Sequence, residues 1–218
     1  MTTIPLWVVP KPHLDKLQMV VDQSAGEFFH NSYILPDDAW VHLDTFHVLC
    51  AMLLKVHVHH GNILLVLFRT DLSQVYHWLP MHYLWQLHQV VTIDSKHHVD
   101  NNNDFSNWGA GWIWVTFFGL VLWIAIFIKH ILDLFAYVDD SFSWEFANNF
   151  TFYAPYHKFL PCKQMQLLCL FDKLGVPHDE RKQVFGVLLT IIVDPNAMTI
   201  TMPHFFICHL FQFTLLML

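Results

Sequence analysis

Arginine is almost missing from this chain: Arg69 and Arg181 are the only two among 218 residues. Lysine does not make up the difference, and the formal net charge is −7. That balance argues against a broadly basic groove, the usual electrostatic footprint of a nucleic-acid binder. Cysteine is scarce as well. Cys50, Cys162, Cys169 and Cys208 include no C-x-x-C pair, so a reduced, intracellular chain is read rather than a disulfide framework. No basic stretch leads into an apolar run at the N-terminus, so no secretory signal is read there. Core material, by contrast, is plentiful, with 55% of residues hydrophobic and 16% aromatic. At this length it suits one domain or a compact pair of subdomains.

Two stretches carry chemistry. Leu134-Phe135-Ala136-Tyr137-Val138-Asp139-Asp140-Ser141-Phe142 runs apolar into two adjacent carboxylates and turns apolar again at once. Neighbouring aspartates repel each other and resist burial, so they suit a tight turn that shares cations. Magnesium fits such a site, because it takes one or two carboxylates plus substrate phosphates rather than a full protein cage. A solvated hairpin turn is the alternative reading of a bare Asp pair. The second stretch, Asn62 to Asp71, is a near-continuous apolar run, the pattern of a central strand covered on both faces. Asp71 at its end could complete a three-carboxylate site, or cap a helix beginning at Leu72.

Tyr137-Val138-Asp139-Asp140 resembles the Tyr-x-Asp-Asp signature of reverse transcriptases. Phe68-Arg69-Thr70-Asp71-Leu72-Ser73-Gln74-Val75-Tyr76 is similar to the first catalytic motif of that family, a strand ending in Asp with an aromatic five residues later. Flanking segments match in order over most of residues 7–202. The resemblance implies an α+β fingers-and-palm polymerase fold, with an antiparallel palm sheet backed by helices and no thumb. It implies a fingers-like segment over 1–65, a palm-like domain over 66–202 with 78–110 returning to the fingers, and an apolar tail over 203–218. It also implies two Mg2+ ions held by Asp71, Asp139 and Asp140, the arrangement that clamps both oxygens of an in-line phosphoryl displacement. Lys182 would be the general acid for the departing pyrophosphate. Tyr76 would be the gate at the sugar 2′ position, and Tyr137 would border the substrate. Gln18 stands where the family has an arginine that grips the triphosphate, and it brings no charge. The implied partners are an RNA or DNA template-primer and a deoxynucleoside triphosphate, with activity weak or absent.

The 17 His and 9 Trp bear on that weakness. C-to-T decay of arginine codons yields Trp, Cys, His and Gln. Those residues stand where the family tends to carry arginine, as at Gln18, Trp108 and Trp112, so an eroded copy of a retroelement is read. Ser106 also replaces a glycine expected in the loop that lines the nascent base pair. The His57-Val58-His59-His60 cluster, a zinc-site candidate, lacks a second ligand set and fits lost arginines better.

Local patterns add hairpins over 6–22, over 89–99, and over 188–202 about Asp194-Pro195-Asn196. A helix is read over 161–174 with Gly175 as its C-cap, and an approximate helical stripe over 43–54. Residues 111–128 contain no charge, and 18 residues is the lower edge of a membrane span. A non-catalytic protein anchored in a membrane by this segment is the competing function.

Overall fold

The computed structural model describes residues 3–10, 17–27, 29–35, 37, 41, 43–61, 63–104, 106–193 and 198–201. In chain order the elements are β1 (Leu6–Pro10), β2 (Leu17–Val21), α1 (Phe46–His60), β3 (Leu65–Asp71), α2 (Val75–Trp78) and α3 (Tyr83–Gln86). They continue with β4 (Val90–Ile93), β5 (Lys96–Val99), α4 (Trp108–Trp123), β6 (Phe135–Tyr137), β7 (Asp140–Phe146), β8 (Phe150–Tyr153) and β9 (Lys158–Pro161). The last three are α5 (Cys162–Leu174), β10 (Val184–Val193) and β11 (Met198–Thr201). The chain divides into two units, Met1–His42 with Gln74–Val121, and Leu43–Ser73 with Leu122–Leu218.

The first unit is built on two hairpins. β1 and β2 pair antiparallel, with Leu6 opposite Val21. β4 and β5 pair about the two-residue turn Asp94-Ser95, whose residues have φ of 49° and 60°. Positive φ at both turn positions matches the right-handed twist of a hairpin, and it is the reason Asn-Gly or Asp-Gly is favoured there. Ser95 adopts the left-handed conformation at a cost glycine would not incur. Ser95→Gly is therefore expected to raise stability by about 0.5–1 kcal/mol, measured as a higher urea midpoint with an unchanged slope. A small core of Ile4, Phe29 and Val91 forms beside these strands, joined by Val21 and Ile93.

α4 starts at Trp108, three residues before the uncharged segment. Asn107 Oδ1 accepts the Gly109 N–H at 2.8 Å, a side-chain cap that opens the helix. The helix then passes into one π turn, Ile124–Ile128. Trp114, Phe118, Val121 and Ala125 are buried, and their four-three-four spacing is one helical stripe. Trp112, Leu120, Trp123, Phe127 and Ile128 are exposed. Trp108–Ile128 is long and apolar enough to cross a membrane, yet its buried stripe is that of a helix packed on protein.

The second unit carries a five-stranded sheet in the order β11-β10-β3-β7-β6, antiparallel throughout. β3 is its centre. Leu65 to Thr70 are all buried, as the apolar run predicts for a doubly covered strand. On one side α1 contributes Leu49, Met52, Leu53 and Val56, which pack with Leu65, Leu67, Phe142 and Trp144. α5 packs against β3 and β7. Its end is fixed by Gly175, at φ 70°, whose N–H meets the carbonyls of Asp172 and Phe171.

Two more boundaries differ from the sequence reading. α1 runs on to His60, and Gly61 ends it at φ 70°, a positive value suited to glycine. β10 starts at Val184 rather than Leu188. Gly186 sits at φ 64° where the β3–β10 register shifts, a bulge that interrupts alternation. That early portion supplies a Phe185-Gly186 step that a strand beginning at Leu188 lacks. The turn at Asp194-Pro195-Asn196 and the tail over 203–218 lie outside the described residues.

Candidate active site

β3 and β7 run antiparallel with Asp71 opposite Asp140, Thr70 opposite Ser141 and Arg69 opposite Phe142. β6 and β7 form a tight hairpin in which Tyr137 faces Asp140, leaving Val138 and Asp139 as the turn. Val138 has φ 54°, a left-handed conformation that a β-branched residue rarely adopts. The two strands are tied where they end: the Leu72 N–H donates to the Asp139 carbonyl at 3.1 Å. The Ser73 N–H donates to the Pro177 carbonyl at 3.0 Å. Asp71, Asp139 and Asp140 therefore gather at one end of the sheet, and Lys182 joins them from a short 3-10 turn, Glu180–Lys182.

Cross-strand partners share a face, so Asp71 and Asp140 lie side by side, and like charges so placed repel. Two cations answer them. Lys182 Nζ is 2.9 Å from Asp71 Oδ1 and also donates to the Leu72 carbonyl at 3.2 Å. Arg69 Nη1 is 3.5 Å from Asp140 Oδ2, and Arg69 Nη2 is 3.9 Å from Asp71 Oδ2. Gln183 Nε2 donates to the Asp71 carbonyl at 2.8 Å. Gln164 Nε2, wholly buried, donates to the Arg69 carbonyl at 3.2 Å. Asp140 Oδ1 and Arg69 Nε are buried without a hydrogen-bond partner.

The electrostatics follow from that burial. Loss of water pushes the Asp139 carboxyl up to about 6, with the Asp71 charge adding to the rise. Burial pushes Asp140 up to about 7, and the opposing Arg69 charge does not cancel it. A 3.5 Å approach is an ion pair, but it is longer than a good charge-assisted hydrogen bond. The site thus holds more negative charge than its neighbours neutralise.

Arg69, Gln164 and Gln183 were not legible as part of this site from motif matching. For Arg69 a signal exists. Residues two apart on a strand share a face, so Arg69 must lie on the face of Asp71. Tyr137 is half-buried on β6 and packs against the α1 core. Tyr76, half-buried on α2, and Gln18, opposite Val9 on β2, belong to the first unit.

The donor chemistry suits magnesium, since oxygen ligands with an unpartnered carboxylate atom are what a hard cation takes. The arrangement does not. Among the described residues no three His, Cys, Asp or Glu side chains are grouped to hold a metal ion, the three aspartates and the His57–His60 cluster included. Arg69 and Lys182 already meet the inward carboxylate oxygens.

The second unit's sheet, its two helices and the hairpin-borne Asp pair define a polymerase-type palm, and with the first unit the chain has the α+β fold of a reverse transcriptase polymerase region. The resemblance in structure is to foamy viral enzymes. One is a foamy viral protease-reverse transcriptase in complex with double-stranded DNA, at TM-score 0.57 and 18% identity over 91% of this chain and 31% of that one. A second, in complex with an RNA/DNA hybrid, matches at TM-score 0.53 and 16% identity over 84% and 21%. Native prototype foamy virus protease-reverse transcriptase matches at TM-score 0.56 and 15% identity over 86% and 21%. The chain thus spans a third or less of the length of these proteins. No protein-family model matches the sequence, and no curated protein does.

Proposed function

We propose that the chain is a retroelement reverse transcriptase fragment, a template-directed nucleotidyl transferase of reduced or absent activity. One observation carries the reading: Asp71 from β3 and the Asp139-Asp140 pair from the β6–β7 hairpin meet at one end of the sheet through main-chain pairing. In the reaction a primer 3′-hydroxyl attacks the α-phosphate of a deoxynucleoside triphosphate, and the bond to pyrophosphate breaks. In this reading Lys182, the most accessible cation of the site, would donate a proton to the leaving pyrophosphate once it releases Asp71. The partners of this reading are an RNA or DNA template-primer and the triphosphate.

Three features lower the expected rate. Gln18 brings no charge to the triphosphate, Ser106 replaces a loop glycine, and the net charge of −7 repels a polyanion. The membrane-anchor reading has the length and apolarity of Trp108–Ile128 in its favour, and the burial of Trp114, Phe118, Val121 and Ala125 against it. With a primed RNA template, magnesium and deoxynucleotides, purified protein is expected to extend the primer only slightly. Asp139→Asn is expected to bring that extension to background. Robust synthesis that survives Asp139→Asn would overturn the assignment.

A further inference from the structure

We propose that Arg69 is a built-in counter-cation of the carboxylate site, taking in the charge balance the place of a divalent metal ion, so that the chain binds Mg2+ or Mn2+ weakly and gains a metal site when Arg69 is replaced. The inference rests on the polymerase reading of the same site. Strand alternation puts Arg69 on the face of Asp71, and sheet register puts Asp140 beside them. The guanidinium lies within 3.5 Å of Asp140 and 3.9 Å of Asp71, so one planar cation spans both carboxylates.

Burial and contacts hold Arg69 in this position. Its side chain is only 9% exposed. Its Nη2 also donates to the Lys182 carbonyl at 3.4 Å. Unlike a lysine, it cannot lose its charge to admit another cation. Lys182 differs, because its side chain is 41% exposed and can swing into solvent. Even with all three carboxylates ionised, Arg69 and Lys182 leave the site a single negative charge. Two divalent ions would overfill that site, and any ion between Asp71 and Asp140 would face a fixed positive charge in a poorly screened setting. The unpartnered Asp140 Oδ1 is the donor that an ion would use if Arg69 were absent.

The test is Mn2+ binding followed by electron paramagnetic resonance and by calorimetry, on the full chain without nucleotide or primer. Wild type is expected to bind only at millimolar Mn2+. Arg69→Gln is expected to bind at least about tenfold more tightly, with a Mn2+-dependent rise in melting temperature. Adding Asp71→Asn to Arg69→Gln is expected to erase the gain. Far-UV circular dichroism checks folding. Should Arg69→Gln fail to fold, Arg69→Lys carries the test, since its movable ammonium is expected to give an intermediate gain. Wild type holding Mn2+ at micromolar concentration, or a folded Arg69 variant binding no more tightly than wild type, overturns the proposal. Because no synthesis is measured, either result leaves the polymerase reading to the primer-extension experiment.

Discussion

Phe68→Ala is expected to destabilise the protein by about 3–5 kcal/mol. Phe68 is fully buried in the middle of β3, between β10 and β7. Truncation removes the burial of an aromatic ring and leaves a cavity in a sheet flanked by strands on both sides, where collapse is limited. Phe68→Leu, which conserves more of the volume, is expected to cost less than about 1.5 kcal/mol. Guanidinium denaturation of both variants measures the difference. A loss below about 1 kcal/mol for Phe68→Ala would mean that β3 is not the buried centre on which the placement of Asp71 depends.

The second large effect is on pH dependence. Asp139 and Asp140 are held up to about 6 and about 7 by burial, above the usual carboxylate range. Between pH 4 and 7 the folded chain therefore keeps protons that the unfolded chain has released. Stability contributed by these groups is present below pH 4, falls as pH rises through 6 and 7, and is gone above. The drop is expected to be of order 2 kcal/mol, less than the two shifts taken separately would give, because the carboxyls are coupled. His30 acts in the opposite sense, since burial lowers its pKa and costs stability as pH falls below 6.5. The readout is therefore the difference between wild type and Asp140→Asn. The variant is expected to be the more stable at pH 8 and to lose most of the decline. Equal slopes in the two proteins would show that Asp140 is not desolvated.

What the sequence carried best were features in which period and punctuation agree. The apolar run into Asp71 read as a covered strand, and the aspartate pair inside an apolar stretch read as a turn, where Asp139 sits while Asp140 opens β7. α5 was legible because Pro161 opens it and Gly175 closes it. The errors lie where geometry departs from a period. Gly186 bulges out of alternation, so the first residues of β10 did not read as strand. α4 starts on an asparagine cap and ends in a π turn, while its hydrophobicity on every side hides the buried stripe. At the site the aspartates were legible from their motifs. Arg69 could have been read from strand alternation with Asp71, but the roles of Gln164 and Gln183 could not, because they depend on hydrogen bonds from α5 and from the residue before β10 that no local pattern encodes.

Beside its side-chain contacts, the end of β3 is laced to distant segments by main-chain hydrogen bonds, from Leu72 to Asp139 and from Ser73 to Pro177. Main-chain hydrogen bonds survive any substitution that does not put proline at the donor. Under the proposed reading, an element of this kind would lose the surface cations that grip a substrate, side chain by side chain, before the notch between its strands changed dimensions. On that reading the shape of the carboxylate notch would outlast its chemistry, and such a copy could still be traced by where its strands end.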